Sequence, residues 1–297
     1  MTAGFLRSLY QSTINLSAPL ILCSLGGLIS LHSGVVNVAM EGMMLSGAFT
    51  AVAVCYVTSS PLLGVLAAIV VAVVISLIYS LFVTTLKTNN FVIGIAINIF
   101  VSSFTIFLTR VMFVGKDAFN SPDLVAIPKL RINFGVGFLN VLFSNYSILV
   151  YVAVILVFVI DYVVYKTPFG LWLRAAGSKP EALSTAGKNL VAVQYVGSVL
   201  TGILCGLSGS QLSLSNVVLF TRDMSAGRGF ICLAVIIIAQ GRPKTALLMS
   251  LLFGFFNALS IQLQYFNIPP HFLTMIPYVM AILALVIMSV TDKKKLL

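Results

Sequence analysis

The chain has 297 residues, of which 60% are apolar and only 8% charged, against roughly a quarter charged in a soluble domain. With a mean hydropathy of +1.11, this excludes an ordinary soluble domain and indicates a polytopic membrane protein. The net charge of +10 does not point to nucleic acid. The basic residues form short clusters between apolar runs (Lys166, Arg174, Lys179 and Lys188; Arg242 and Lys244; Lys293, Lys294 and Lys295), as cytoplasmic loops do, and no basic face carries interleaved aromatics.

A bilayer span needs ~20 predominantly apolar residues. In chain order the expected spans are 13–31, 35–58, 62–86, 90–110, 146–165, 191–213, 229–240, 245–266 and 271–290. They make an all-α polytopic fold of about 8–10 transmembrane helices, read as a single transmembrane domain over 1–297, with membrane lipid as its surroundings. The first run follows Arg7 but has no small-residue cleavage site, and Leu20-Ile21-Leu22-Cys23 lacks the pattern of a lipidated cysteine, so it reads as a retained span. Ser59-Ser60-Pro61, Lys87-Thr88-Asn89-Asn90 and Asn267-Ile268-Pro269-Pro270 are the clearest breaks. The segment 229–240 is short for a full span, and 35–58 is expected to be interrupted around Gly42.

If Lys293–Lys295 are cytoplasmic, the loops at 242–244, 166–190 and 87 fall inside, and 267–270, 214–228 and 111–145 fall outside. The orientation of the N-terminus stays open. The outer loop 111–145, with Lys116, Asp117, Pro122, Asp123, Pro128, Lys129 and Arg131, is too short for its own core. It reads as a solvated connector, a docking surface or a cap on the external mouth.

The stretch Gly34–Ala48 carries the strongest signal. It sets Asn37, Glu41 and several small residues in a run apolar enough to enter the bilayer, and no charged residue follows Glu41 until Lys87. Ionisable groups in such a position are costly and by default functional. Asn37, Glu41 and Asn98 are therefore the residues expected along a substrate path, since carboxamides offer both donors and an acceptor. Glu41 has two readings, a contact to a substrate hydroxyl or a tie between broken helix ends through backbone amides. Phe104, Phe107 and Tyr151 are possible stacking partners for a base. Gly42 with Gly47, Gly202 with Gly206 and Gly209, and Gly64 with Ala68 fit close helix packing. Cys23, Cys55, Cys205 and Cys232 have neither zinc-like nor redox-like spacing and read as small buried hydrophobes.

The second informative region is the inside loop 166–190. Pro180 and Glu181 suit the first turn of a short helix, Ser178 is a candidate N-cap, Ala182, Leu183 and Ala186 would form the apolar face, and Gly187 the stop. A short amphipathic helix there is equally an ordinary loop helix or an element that docks into a partner's groove.

Glu181-Ala182-Leu183 followed by Gly187 resembles the Glu-Ala-Ala-x-x-x-Gly loop of ATP-binding-cassette importer permeases, with Leu183 in place of the second alanine. Residues 34–48 resemble the Gly-x-x-Asn-x-Gly-x-Glu-Gly-x-x-Leu-x-Gly-Ala pattern of the branched-chain amino acid and simple-sugar permease superfamily, with Ala39 where that pattern has glycine. Asn89–Asn98, Phe169-Gly170, Arg174-Ala175-x-Gly177, Met224–Phe230 and Leu252-Phe253-Gly254 are similar to its nucleoside-uptake subgroup, while Gln240-Gly241-Arg242 departs from the Phe-Gly-x-Trp of relatives. The likeness covers most of residues 15–290. It implies a multi-pass permease of a bacterial inner membrane, importing nucleosides (purine nucleosides first). The implied partners are a second, longer permease, a twin-domain ATPase and a substrate-binding lipoprotein outside. Arg174, Gly177, Pro180, Glu181, Ala182 and Gly187 would couple to the ATPase.

The chain has no Gly-x-x-x-x-Gly-Lys-Ser/Thr, so ATP is expected on a partner and no cofactor on this chain. His32 and His271 are isolated and no paired catalytic carboxylates occur, which argues against an enzyme. Two alternatives remain: an importer of simple sugars such as ribose or galactosides, and a proton-coupled secondary transporter with Glu41 as its proton site.

Overall fold

The computed structural model describes residues 2–112, 118–121, 124–130, 144–264, 275–284 and 286. Its helices are α1 (Thr2–His32), α2 (Met40–Thr58), α3 (Pro61–Ser80), α4 (Asn90–Met112), α5 (Ile148–Lys166), α6 (Pro168–Ser178), α7 (Pro180–Thr185), α8 (Leu190–Ser210), α9 (Arg228–Ala239) and α10 (Pro243–Leu263), followed by α11 (Met275–Ala284). α3 and α8 run on as wider π-turns over Leu81–Thr85 and Gln211–Val217. Seven helices (α1–α5, α8 and α10) are long and apolar enough to cross a membrane, while α9 and α11 are apolar but shorter. Two small antiparallel ribbons complete the described fold, β1 (Ala118–Phe119) with β4 (Phe220–Thr221) and β2 (Lys129–Leu130) with β3 (Tyr146–Ser147).

Local chemistry sets the boundaries. Proline occupies the first turn of α3, α6, α7 and α10, where its missing N–H is no loss. Asn89, Thr167 and Asn189 accept N–H bonds at the starts of α4, α6 and α8. Gln240 and Gly241, both at positive φ, end α9.

α1 lies at the centre, packed on α10, α8, α9, α5 and α6, and α2 is held between α3, α8 and α4. The ends of the molecule separate cleanly. At one end His32 meets Gly241, Thr85 meets Tyr195, and Lys244 pairs with Asp161. Lys87, Arg174, Lys179, Lys188 and Arg242 belong to the same connections, and the positive-inside bias assigns this end to the cytoplasm. At the other end lie both ribbons and the Ser8–Gln262 bond, so α1 starts on the outside and runs inward.

Several expectations change in detail. The interruption expected at Gly42 falls at residues 33–39, and Gly42 is a buried first-turn residue of α2. Residues 168–178 form a helix of their own before the expected short one. Ser178 does not cap α7: its hydroxyl donates to the Arg174 carbonyl at 2.8 Å, and Lys179 takes the N-cap position. Only Leu183 of the expected apolar face is buried, while Ala182 and Ala186 are exposed. Of the outer loop, Lys116, Asp117, Pro122, Asp123 and Arg131 lie outside the described residues, as do Lys293–Lys295 and parts of 271–290.

The glycines pack as expected. A Cβ on Gly47 would sit 3.1 Å from Gly206 Cα, one on Gly206 2.7 Å from Ile69 Cα, and one on Gly202 2.7 Å from Val73 Cα. Without a hydrophobic drive between helices in lipid, this approach is what lets α8 associate with α2 and α3. Gly206→Val is expected to lower stability by about 1–3 kcal/mol through overpacking, read as a lower denaturation temperature in detergent. Gly4→Ala, at a position with nothing within 4 Å of the added carbon, should leave it unchanged.

Candidate functional site

Between α1 and α2 the chain leaves helical geometry inside the membrane, and every described polar group there has to find a partner in protein. Gly34 turns the chain at φ +85, and the Ser33, Gly34 and Val35 amides bond back to the last turn of α1. The carbonyls go to four different helices. Gln194 of α8 donates to Ser33, Ser30 of α1 to Val35 (2.7 Å), Tyr79 of α3 to Val36 (2.7 Å) and Asn98 of α4 to Val38 (2.9 Å). Asn37 Oδ1 accepts from the Ala39 amide at 2.9 Å and starts α2. Gly94 brings α4 against Val38.

Asn98 makes a second bond, with Oδ1 accepting from the Gly42 amide at 2.8 Å. One carboxamide thus holds both the broken segment and the first turn of α2. Its depth follows from helix rise. Asn98 is the ninth residue of α4, about 12 Å in from its cytoplasmic end. α9 has 12 residues, about 18 Å. The cluster therefore lies about midway through a ~30 Å hydrocarbon core.

Glu41 faces the second interruption. Its Oε1 accepts from the Gly227 amide at 2.8 Å and its Oε2 from the Gly229 amide at 2.6 Å. The Ser225 hydroxyl also bonds this carboxylate. These donors sit at the start of α9, after a turn in which Asp223, Ala226 and Gly227 all have positive φ. Of the first amides of α9, Arg228 bonds to Ser225 while Phe230 and Ile231 bond to Gly227. Gly229 points at Glu41 instead. A carboxylate here also meets the positive ends of two helix dipoles. Gly229 has to be glycine, since a Cβ would lie 2.6 Å from Glu41 Cα. Arg228 folds back onto the Met224 and Ser225 carbonyls, Tyr278 of α11 donates to Ala226 at 2.5 Å, and Ser102 of α4 donates to Asp223 at 2.5 Å.

The three expected path residues are thus brought together, and their polar atoms are engaged within the protein. Of the two readings of Glu41, the geometry is that of the tie between helix ends. The residues holding the other ends were missed: Tyr79, whose hydroxyl is one polar atom in an apolar helix, and the Gly227 and Gly229 amides, whose only trace was two glycines in the Met224–Phe230 stretch.

On the cytoplasmic side α6 lies against the broken segment. Gly177 and Gly34 face each other, a Cβ on Gly34 falling 3.1 Å from Gly177 Cα and one on Gly177 3.0 Å from Gly34 N. Arg174 sits over the Tyr165 ring, 5.2 Å from its centre. Tyr165 and His32 both bond the Gly241 carbonyl. α7 begins at Pro180, buries Leu183 and exposes Glu181 and Ala182, and Gly187 closes it at φ +72 with no neighbour within 4 Å of an added carbon. The expected coupling residues therefore divide into a packed set (Arg174, Gly177) and an outward set (Pro180, Glu181, Ala182, Gly187).

Three of the four cysteines, scattered in sequence, meet in the core. Cys23 Sγ is 3.9 Å from Cys205 Sγ, and Cys232 reaches the Leu20 carbonyl at 3.6 Å. All are buried and unpaired as disulfides. Among the described residues no His, Cys, Asp or Glu cluster has the arrangement of a metal site.

The family model for the permease component of branched-chain amino acid transport systems matches residues 9–288. The chain belongs to this permease family. Among its relatives, the guanosine ABC transporter permease protein NupQ of Bacillus subtilis is 33% identical over 94% of this chain and 91% of its own. The nucleoside ABC transporter permease protein NupC of Lactococcus lactis is 31% identical over 91% and 88%. A second Lactococcus nucleoside permease, NupB, is 23% identical over 90% of this chain and 76% of its own. No solved structure gives a significant match. Membership makes the chain a non-enzymatic, multi-pass membrane component of an ABC transporter, and the ATPase and other subunits of that transporter are its partners.

In this permease, Glu41→Ala leaves the Gly227 and Gly229 amides without acceptors. The expected cost is about 1–3 kcal/mol for each buried group left unsatisfied, and Glu41→Gln, which keeps one acceptor oxygen, should lose less. Amide hydrogen exchange at Gly229 checks this. Exchange at least tenfold faster in Glu41→Ala is expected, and unchanged protection there would remove the clamp.

Proposed function

We propose that the chain is the membrane-spanning permease of an ATP-driven nucleoside importer, with purine nucleosides as first substrates. The full-length likeness to NupQ and NupC, whose names specify guanosine and nucleosides, carries this reading. Simple sugars are not favoured by these relatives, and their being ABC transporter permeases does not favour a proton-coupled carrier. The likeness of one chain to both NupC and NupB, which it covers to different extents, supports a pair of unequal permeases. Energy comes from a twin-domain ATPase beneath the pair, and a binding lipoprotein delivers substrate from outside.

In this reading α6 and α7 carry the coupling. Leu183 anchors α7 to the membrane domain while Glu181, Ala182 and Ala186 face out toward the ATPase. Gly177, in contact with Gly34, joins α6 to the segment that bears Asn37 and leads into α2 with Glu41. The Asn37, Asn98 and Glu41 set then shapes the path wall rather than holding substrate by free polar atoms.

The test is uptake of radiolabelled guanosine into proteoliposomes holding this chain, its second permease and the ATPase, with the binding protein outside. Uptake that needs both ATP and the binding protein is expected. Uptake of ribose or an amino acid instead would keep the importer and change its substrate, and uptake by this chain alone under a proton gradient would overturn the reading. For coupling, Ala182→Arg places a charge on the outward face of α7 without touching its buried anchor. It is expected to cut ATP-driven uptake at least tenfold with the chain's thermal stability unchanged, and normal uptake would exclude α7 from the ATPase contact.

A further inference from the structure

The connection between β4 and α9 bears two charges. Arg222 Nε lies 3.6 Å from Asp223 Oδ2, and the two side chains are 56% and 50% exposed. Asp223 Oδ1 accepts from the Ser102 hydroxyl of α4 at 2.5 Å. Ser102 is the thirteenth of the 23 residues of α4, about 18 Å of helix rise from its cytoplasmic end. The bond therefore sets the Asp223 carboxylate well inside a ~30 Å hydrocarbon core, one turn of α4 outward of Asn98.

Charged groups at that depth are costly and face a protein interior or a water-filled passage. Long basic side chains escape by reaching up to the interface, but Asp223 is short and its carboxylate is held by Ser102. Half of its side chain is nonetheless uncovered, so its neighbour has to be water or a polar solute rather than acyl chains. Two further points narrow the solute. Arg222 and Asp223 together carry no net charge, which suits an uncharged polar molecule better than an ion. The carboxylate also has acceptor sites beyond its Ser102 and Arg222 contacts, the complement of the two hydroxyl donors of a vicinal diol. One turn inward on the same flank of α4, the Asn98 carboxamide is already engaged by Val38 and Gly42. A hydroxyl donor thus meets at Asp223 the uncovered acceptor that the clamp does not offer.

We propose that Ser102, Arg222 and Asp223 line an aqueous substrate path beside α4, and that Asp223 accepts hydrogen bonds from the sugar hydroxyls of the passing nucleoside. The path assignment stands on the depth and exposure of the charged pair, and the sugar contact rests on the nucleoside reading above.

The test uses the assembled transporter in proteoliposomes and has two arms. The first reads water access by the rate of reaction with a charged methanethiosulfonate, 2-sulfonatoethyl methanethiosulfonate, which needs an ionised thiol. The native cysteines are buried. Ala226→Cys puts a thiol at an exposed position of the same turn that already carries a Cβ, and Ile155→Cys, at a 60% exposed position of α5, is the lipid-facing control. Ala226→Cys is expected to react at least tenfold faster than Ile155→Cys. Equal, slow reaction would overturn the path whatever solute the transporter carries, because lipid or a second permease would then cover the turn. The second arm is guanosine uptake by Asp223→Asn, which keeps an acceptor for Ser102 and removes the charge. It should raise the guanosine concentration for half-maximal uptake at least fivefold with thermal stability unchanged, and an unaltered half-maximal concentration would overturn the sugar contact. An unaltered transporter that carries no guanosine would fail the nucleoside reading itself and the sugar contact with it, while the thiol arm would still decide the path.

Discussion

The structure depends on one constraint: a chain that breaks its helices inside hydrocarbon has to satisfy the freed backbone groups with protein. Two breaks meet near the membrane centre, residues 33–39 before α2 and the turn before α9, and Glu41 joins them by accepting from Gly227 and Gly229. The charge that looks most out of place in the sequence is what allows both irregular segments to lie side by side. Desolvating a carboxylate is costly, but this one faces two amides, a hydroxyl and the amino ends of two helices. Replacing it with an apolar residue would leave buried donors without acceptors, not merely remove a bond.

The rest of the packing follows from bringing helices close enough for these bonds. Asn98 reaches both Val38 and Gly42 because Gly94 and Gly42 let α4 lie on the broken segment and on α2. Tyr79 reaches Val36 from α3, and α3 is held to α8 by Gly202 and Gly206 with the Ser76 hydroxyl donating to the Ser198 carbonyl. Small residues and hydroxyls do here what a hydrophobic drive does in water. The three-cysteine contact around Cys23 is part of the same pattern, small side chains at the crossing of α1, α8 and α9.

Hydropathy made most of the membrane helices legible, because span length is a property of a single run of residues. The polar cluster was legible too, since Asn37, Glu41 and Asn98 interrupt apolar runs. What the residues did with one another was not. Glu41 and the glycine amides that donate to it are separated by 186 and 188 positions, and Cys23 and Cys205 by 182, so no local pattern encodes them. The misplaced break has a local cause. Gly42 looked like a helix breaker, but Asn98 takes its amide and α2 starts earlier, where Asn37 makes the turn. Ser178 likewise had a rival use for its hydroxyl at the Arg174 carbonyl, one turn back in α6, which a capping pattern does not weigh.

The joint between α6 and the broken segment decides how force can pass through the proposed importer. Gly34 and Gly177 touch backbone to backbone, so no side-chain rotamer lies between them to absorb a displacement. On either side of Gly34, the carbonyls of the segment are fixed to α1, α3, α4 and α8 by separate bonds, which resist local stretching. A push on α6 is therefore taken up by tilting a packed unit rather than by unravelling the loop. The rim of that unit is Glu41, and its two bonds make α9 follow α2. Next to this path among the described residues lies the turn 223–227, whose positive-φ residues hold the chain away from helix geometry. On the outer side of the clamp Tyr278 and Ser102 hold that turn by single bonds, so α4 and α11 are tied to the same joint.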